Sequence, residues 1–201
     1  MESVISNIQK TKNSRGIISK DIQLPNKFTN GPTKIIKRQG HKFYIHFSYL
    51  PEDTDLDFPI VMWIYTNERY KGEELKICHQ AARNLGKLAL SKGVDEAIVM
   101  ATLDKAKLDY PHNRLGRMVS LNLRHNVPRE DILSALMGLD GDNISTLVTA
   151  VRKFLSETLP DGTRLKGVTC DNPDCTGSRH NVVLESGCKK CLDCGTSSCG
   201  A

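Results

Sequence analysis

Long apolar runs are missing from this sequence: none of its 201 residues belongs to a stretch approaching the ~18 apolar positions that a membrane-crossing helix needs. Aromatic residues are scarce, with five Phe, five Tyr and one Trp, so a hydrophobic core has to be built mainly from aliphatic side chains. There is no phosphate-cradling glycine loop, no nucleophile elbow and no His-Glu-x-x-His pair, which removes three common signatures of enzyme chemistry. The opening residues Met1-Glu2-Ser3-Val4 lack the basic-then-apolar pattern of a secretory leader. A cytoplasmic chain with no membrane partner is therefore expected.

Negative charge is nearly absent from the first 40 residues. They carry Lys10, Lys12, Arg15, Lys20, Lys27, Lys34, Lys37 and Arg38 against only Glu2 and Asp21, so the whole excess of the +5 net charge sits there. With breakers at Pro25, Asn26, Gly31 and Pro32, residues 1–40 read as a basic, partly disordered arm, with Ile17-Ile18 and Ile35-Ile36 as short strands or docking points. Those cations make nucleic acid a candidate partner.

From His41 the pattern changes. Phe43, Ile45, Phe47 and Tyr49 alternate with Lys42, Tyr44, His46 and Ser48, the period of a half-buried strand, and Ile60 to Thr66 reads as a second, covered strand. The polar link Pro51 to Asp57 makes the two an antiparallel pair. Its Asp53-Thr54-Asp55-Leu56-Asp57 run begins like a calcium loop but has Phe58 where Gly belongs and Ile64 where Glu belongs, so no calcium site is expected.

A helical block follows. Leu75, Cys78, Ala82, Leu85 and Ala89 mark one face of a helix that Gly93 ends, so Cys78 is expected as a buried thiol. Further helices are expected over Val94 to Ala106, over Asn113 to His125, from Pro128 onward, and from about Asn143 to Pro160. Leu85-Gly86-Lys87-Leu88 and Leu115-Gly116-Arg117-Met118 each open a helix, a turn and a second helix. Arg114, Arg117, Arg124 and Arg129 give the second unit the charge of a DNA-reading element, but hairpins of helices packed on a sheet are far commoner. The lone histidines His79, His112 and His125 fall within helical patterns and read as core or surface groups. The fold class expected is α+β: an antiparallel strand pair packed on a helical block over residues 41–162, then a small zinc ribbon over 163–201.

The cysteines carry the chemistry. Six of seven lie in the last 32 residues, as Cys170, Cys175, Cys188, Cys191, Cys194 and Cys199. Paired cysteines on turns, separated by a short apolar strand (Val182-Val183-Leu184), describe a zinc ribbon with four thiolates around one ion. A tail this short buries too little surface to fold alone, so metal binding would supply folding energy. Six sulfurs exceed four ligands. One ligand set is Cys170, Cys175, Cys191 and Cys194, favoured by Gly195 after the last pair; the other is Cys170, Cys175, Cys188 and Cys191. His180 is a further candidate that neither set requires. The first set leaves Cys188 and Cys199 as redox candidates and the second leaves Cys194 and Cys199 as a C-x4-C pair; in either, Cys199 is spare near Lys189 and Lys190, placed to exchange disulfides with another protein.

The run Leu115-Gly116-Arg117-Met118-Val119-Ser120-Leu121 through Val127-Pro128, Ile132 and Leu136, with the six-cysteine tail ending Cys-Gly-Thr-Ser-Ser-Cys, resembles the C-terminal TSCPD region of cobalamin-dependent (class II) ribonucleotide reductases over about residues 40–199. In that family the tail is a zinc-binding module whose spare thiols re-reduce the active-site disulfide. The reductase barrel is not in this sequence, and the first cysteine pair is widened to Cys170-x4-Cys175. The resemblance therefore implies the zinc and thiol roles alone: an accessory zinc protein acting through a reductase subunit, not a complete enzyme. The rival expectation is a basic-armed zinc-ribbon protein that contacts nucleic acid or a polymerase.

Overall fold

In the computed structural model, residues 29–38, 40–49, 59–66, 70–105, 111–137, 139 and 146–198 are described. The basic residues and Ile17-Ile18 before Thr29, the Pro51–Asp57 link, the expected helix start at Asn143, and Cys199 lie outside them. The fold is α+β, with two small antiparallel sheets, five helices and a C-terminal cysteine cluster among the described residues.

The first sheet has the order β1 (Thr29–Arg38), β2 (His41–Tyr49), β3 (Pro59–Tyr65). The register pairs Ile36 with Phe43, Tyr44 with Tyr65, and Phe47 with Met62. Alternation then sends Ile36, Phe43, Ile45, Phe47, Met62 and Ile64 into the core and leaves Ile35, Tyr44, Trp63 and Tyr65 on the opposite, exposed face. Within the segment expected as an arm over residues 1–40, the short strand expected at Ile35-Ile36 is part of a ten-residue strand, Thr29–Arg38. β1 is an edge strand that buries little beyond Ile36, so its sequence carries almost no alternation signal.

Five helices follow: α1 (Gly72–Ser91), α2 (Glu96–Lys105), α3 (Pro111–Arg124), α4 (Arg129–Leu136) and α5 (Thr146–Glu157). Their limits follow local chemistry. Glu73 and Glu74 stand in the first turn of α1, where carboxylates meet the positive helix end. The Asp95 side chain accepts from Ala97 N (2.9 Å) to start α2. Pro111 opens α3. The two similar helix–turn–helix units end their first helices alike. Gly93 (φ 84°) and Asn126 (φ 56°) take left-handed turns, after which Val94 N donates to Ala89 O and Val127 N to Asn122 O, both at 3.0 Å. Arg114 turns inward to Leu103 O (3.0 and 2.7 Å) and His79 Nδ1 (3.0 Å), while α4 buries Ile132, Leu133 and Leu136. Both units are packing elements of the core.

Helix α3 lies against β3 because Gly116 permits it: a Cβ there would stand 3.2 Å from Met62 O. Ser120 completes the contact, its Oγ accepting from Met62 N (2.9 Å) and donating to Gly116 O (2.6 Å), which satisfies an otherwise open strand edge. On the same inner face of the sheet, α5 sets Phe154 edge-on to Phe47 with centroids 4.7 Å apart.

The tail carries the second sheet, β4 (Val182–Glu185), β5 (Cys188–Cys191) and β6 (Ser197–Ser198). Ser186 (φ 50°) and Gly187 (φ 78°) form the two-residue turn between β4 and β5. Leu165, Val168, Val182 and Leu184 belong to one buried cluster with the side chains of the first sheet and the helices. An ion pair from Lys92 to the buried Asp131 (2.5 Å), with Lys166 at 3.9 Å, adds a polar link between the helical block and the start of the tail. Cys78 is buried on α1 as the helical stripe predicts.

Candidate metal centre

Two segments with little regular structure are brought together by the β4–β5 hairpin. Cys170 and Cys175 stand on the loop before β4. That loop is held by Cys170 N donating to Arg179 O (2.7 Å), Arg179 Nη2 returning to Cys170 O (3.0 Å), and Asp174 N capped by Asn172 Oδ1 (3.0 Å). Cys191 ends β5, and Cys194 sits in the turn beyond it. There Gly195 adopts φ 75°, so its N–H reaches Cys191 O (2.9 Å) and the chain folds back for Cys191 N to meet Thr196 O (2.9 Å).

The sulfurs of Cys170, Cys175, Cys191 and Cys194 all lie within 4.8 Å of one another. Cys170 Sγ is 3.6 Å from Cys194 Sγ, and Cys175 Sγ is 3.8 Å from Cys191 Sγ. A tetrahedron with metal–sulfur bonds of ~2.3 Å has edges of ~3.8 Å, so these spacings suit an ion at the centre. Four thiols, two of them buried and two half-buried, can hold a metal ion here.

The electrostatics agree with a site that exchanges protons for a cation. Hydrogen bonds from Thr196, whose Oγ1 is 3.2 Å from Cys194 Sγ, bring the Cys194 thiol down to about 6. For Cys170 the Asn172 backbone N–H pulls down, but burial and the sulfurs of Cys194, Cys191 and Cys175 outweigh it and push the thiol up to about 12. Crowded sulfurs cannot all be thiolates without a compensating charge, and a divalent cation supplies it. Around the cluster, Asn181 Nδ2 (3.0 Å) and Ser178 Oγ (3.1 Å) donate to Asp193 and hold its carboxyl below the usual range, fixing the turn between Cys191 and Cys194.

The remaining candidates are placed elsewhere. Cys188 begins β5 three residues before Cys191, so strand alternation puts the two on opposite faces. Cys188 is disulfide-bonded, while Cys78, Cys170, Cys175, Cys191 and Cys194 are free. Its neighbours include Arg152, Lys153 and Lys189, which with Cys188 line a cleft of about 150 Å³ between α5 and the hairpin. Cys199 lies outside the described residues. His180 is exposed and outside the cluster. Burial holds His79, His112 and His125 below the ordinary imidazole range, with Arg114 and Arg83 adding to His79 and Arg124 to His125.

Thr196, Asn172 and Asp193 were not singled out from the sequence, because a support for a sulfur shows only once the turn is folded. No protein-family model, curated protein or solved structure matches this chain. Its function has to be argued from the cluster itself. No described helix is long and apolar enough to cross a membrane.

Proposed function

We propose that the chain is a zinc-binding accessory protein whose tail resembles the thiol and zinc module of class II ribonucleotide reductase and acts on a partner protein. The observation that carries this reading is the division of the tail sulfurs: four gathered at tetrahedral spacing, and Cys188 excluded from them and disulfide-bonded. Cys170, Cys175, Cys191 and Cys194 would hold the zinc, whose contribution is structural: it closes the knuckle and fixes the direction of β5 and the residues beyond.

Cys188 and Cys199, the two tail cysteines outside the cluster of four, are the proposed redox couple. As a dithiol, the couple would reduce a partner's disulfide. One thiolate attacks a partner sulfur and releases the other, then the second thiolate resolves the mixed disulfide. Two electrons pass to the partner, whose two sulfurs take up the protons that the couple loses. Any external dithiol resets the pair.

The test is multiple-turnover support of a class II reductase catalytic chain whose own tail cysteines have been replaced, with dithiothreitol in excess. Wild-type protein is expected to sustain turnover. Cys199→Ser and Cys188→Ser are expected to stop it after about one cycle while keeping one zinc per chain. Full support by Cys199→Ser would exclude the shuttle.

A further inference from the structure

The outer face of the first sheet has an unusual chemistry. Its three strands contain 26 residues without one Asp or Glu, yet include Lys34, Lys37, Arg38 and Lys42. Lys34 leaves that set for an ion pair with Glu157 of α5. The register sets out the outer face in rows. Lys37 stands opposite Lys42, Ile35 beside Tyr44 and Tyr65, and Thr33 beside His46 and Trp63. Three of the chain's eleven aromatic residues are therefore displayed on one flat surface, with Tyr44 40%, Trp63 53% and Tyr65 62% exposed. Tyr44 and Tyr65 have centroids 6.0 Å apart, and Trp63 is steadied by Nε1 donating to Ser48 Oγ (3.0 Å). Rings fixed by a sheet lose little freedom when something stacks on them.

The surface continues round β3 into a cleft of about 470 Å³ against α3, lined by Trp63, His112, Asn113, Arg117, Ser120 and Arg124 among others and by no carboxylate of the described residues. Arg117 and Arg124 are seven residues apart, hence on one helix face. The Arg124 Nε donates to Ser120 O (3.3 Å), and no described carboxylate pairs with either guanidinium. A half-buried cation without a counter-charge is costly unless an anion completes it.

We propose that this face and the adjoining cleft bind single-stranded nucleic acid. Bases stack on Trp63, Tyr65 and Tyr44, and the phosphates are met by Lys37, Lys42, Arg117 and Arg124. Stacking platforms beside a cationic groove are how proteins hold single strands without reading a sequence. Charge argues against the chain's own termini as the occupant, since residues 1–28 carry five Lys/Arg against Glu2 and Asp21 and repel the face. This surface is independent of the cysteine tail and stands whether or not the redox couple acts.

Trp63 is the sole tryptophan, so the site reports on itself. The full-length protein is titrated with a 20-nucleotide oligothymidylate at low salt, reading tryptophan fluorescence and the anisotropy of an end label. Quenching that saturates together with anisotropy is expected, with affinity falling steeply as salt rises. Trp63→Ala and Tyr65→Ala should each weaken binding about tenfold, and Trp63→Phe should retain most of it. Lys37→Gln with Lys42→Gln should reduce the salt slope by about 1 to 2. Circular dichroism confirms that each variant is folded. Three results would overturn the assignment: no binding at low salt, undiminished binding by the folded Trp63→Ala/Tyr65→Ala double variant, which would leave the basic N-terminal segment as the contact, or a self-association that covers Trp63 and is indifferent to oligonucleotide.

Discussion

Stripping the metal with a strong chelator, or replacing Cys191 by serine, is expected to lower the melting temperature of the whole chain, tail and body together, by more than about 10 °C. The reasoning starts from how little else holds the tail. Its strands have four, four and two residues, and long stretches between them are turns whose backbone is tied by single hydrogen bonds. A metal bound by four thiolates contributes ~10–16 kcal/mol in isolated zinc-finger peptides at neutral pH. Part of that is replaced here by packing on the body, so the loss is smaller but still dominant. Cys191 is the most telling ligand to remove, being buried and lying in the common hydrophobic cluster as well as in the sulfur cluster. Serine cannot replace its sulfur at the metal and leaves a hydroxyl in an apolar setting. The check is metal content by mass spectrometry beside a thermal melt. Cys188→Ser serves as the control, expected to keep its metal and to melt close to wild type under reducing conditions.

Leu184→Ala is expected to cost ~2–5 kcal/mol, the usual range for deleting a fully buried leucine, and to lower the melting temperature by about 10 °C. Leu184 has no exposed surface and is clamped on both sides, its N–H donating to Thr163 O (2.8 Å) and its carbonyl accepting from Gly162 N (2.7 Å). More informative than the size is the form of the transition. Because Leu184, Val182 and Leu165 share one core with Phe47, Phe154 and Leu85, the tail and body should melt together in calorimetry and remain a single transition in the variant. A second, low-temperature transition with the body unchanged would show that the tail is a separate folding unit.

The parts legible in the sequence are those where one face is consistently apolar. The stripe from Leu75 to Ala89, the stop at Gly93 and the alternation from Phe43 to Tyr49 each describe an element that buries half of itself, and the described elements follow them. The starts of α2 and α3 fall within two residues of expectation, displaced by the Asp95 cap and the Pro111 start. What the sequence marks only faintly, such as the short strand at Ile35-Ile36, buries too little to leave a full pattern. β1 commits mainly Ile36 to the core, and the remainder of the strand is polar, basic or outward-facing. β5, whose four residues are Cys-Lys-Lys-Cys, owes its extended form to the hairpin turn at Ser186-Gly187 rather than to its own preference. That strand separates Cys188 from Cys191, a relation that spacing in the sequence leaves open. The display of Tyr44, Trp63 and Tyr65 side by side depends on a register that no single strand encodes.

The most direct test of the central claim, one zinc on four cysteines with two sulfurs left to form a redox couple, is native mass spectrometry of the full-length protein before and after mild reduction. The account predicts one zinc per chain in both states and a gain of two hydrogens on reduction, with the zinc lost in Cys170→Ser and kept in Cys188→Ser. A metal-free chain that stays fully folded, or a zinc that survives Cys170→Ser but leaves with Cys188→Ser, would contradict it.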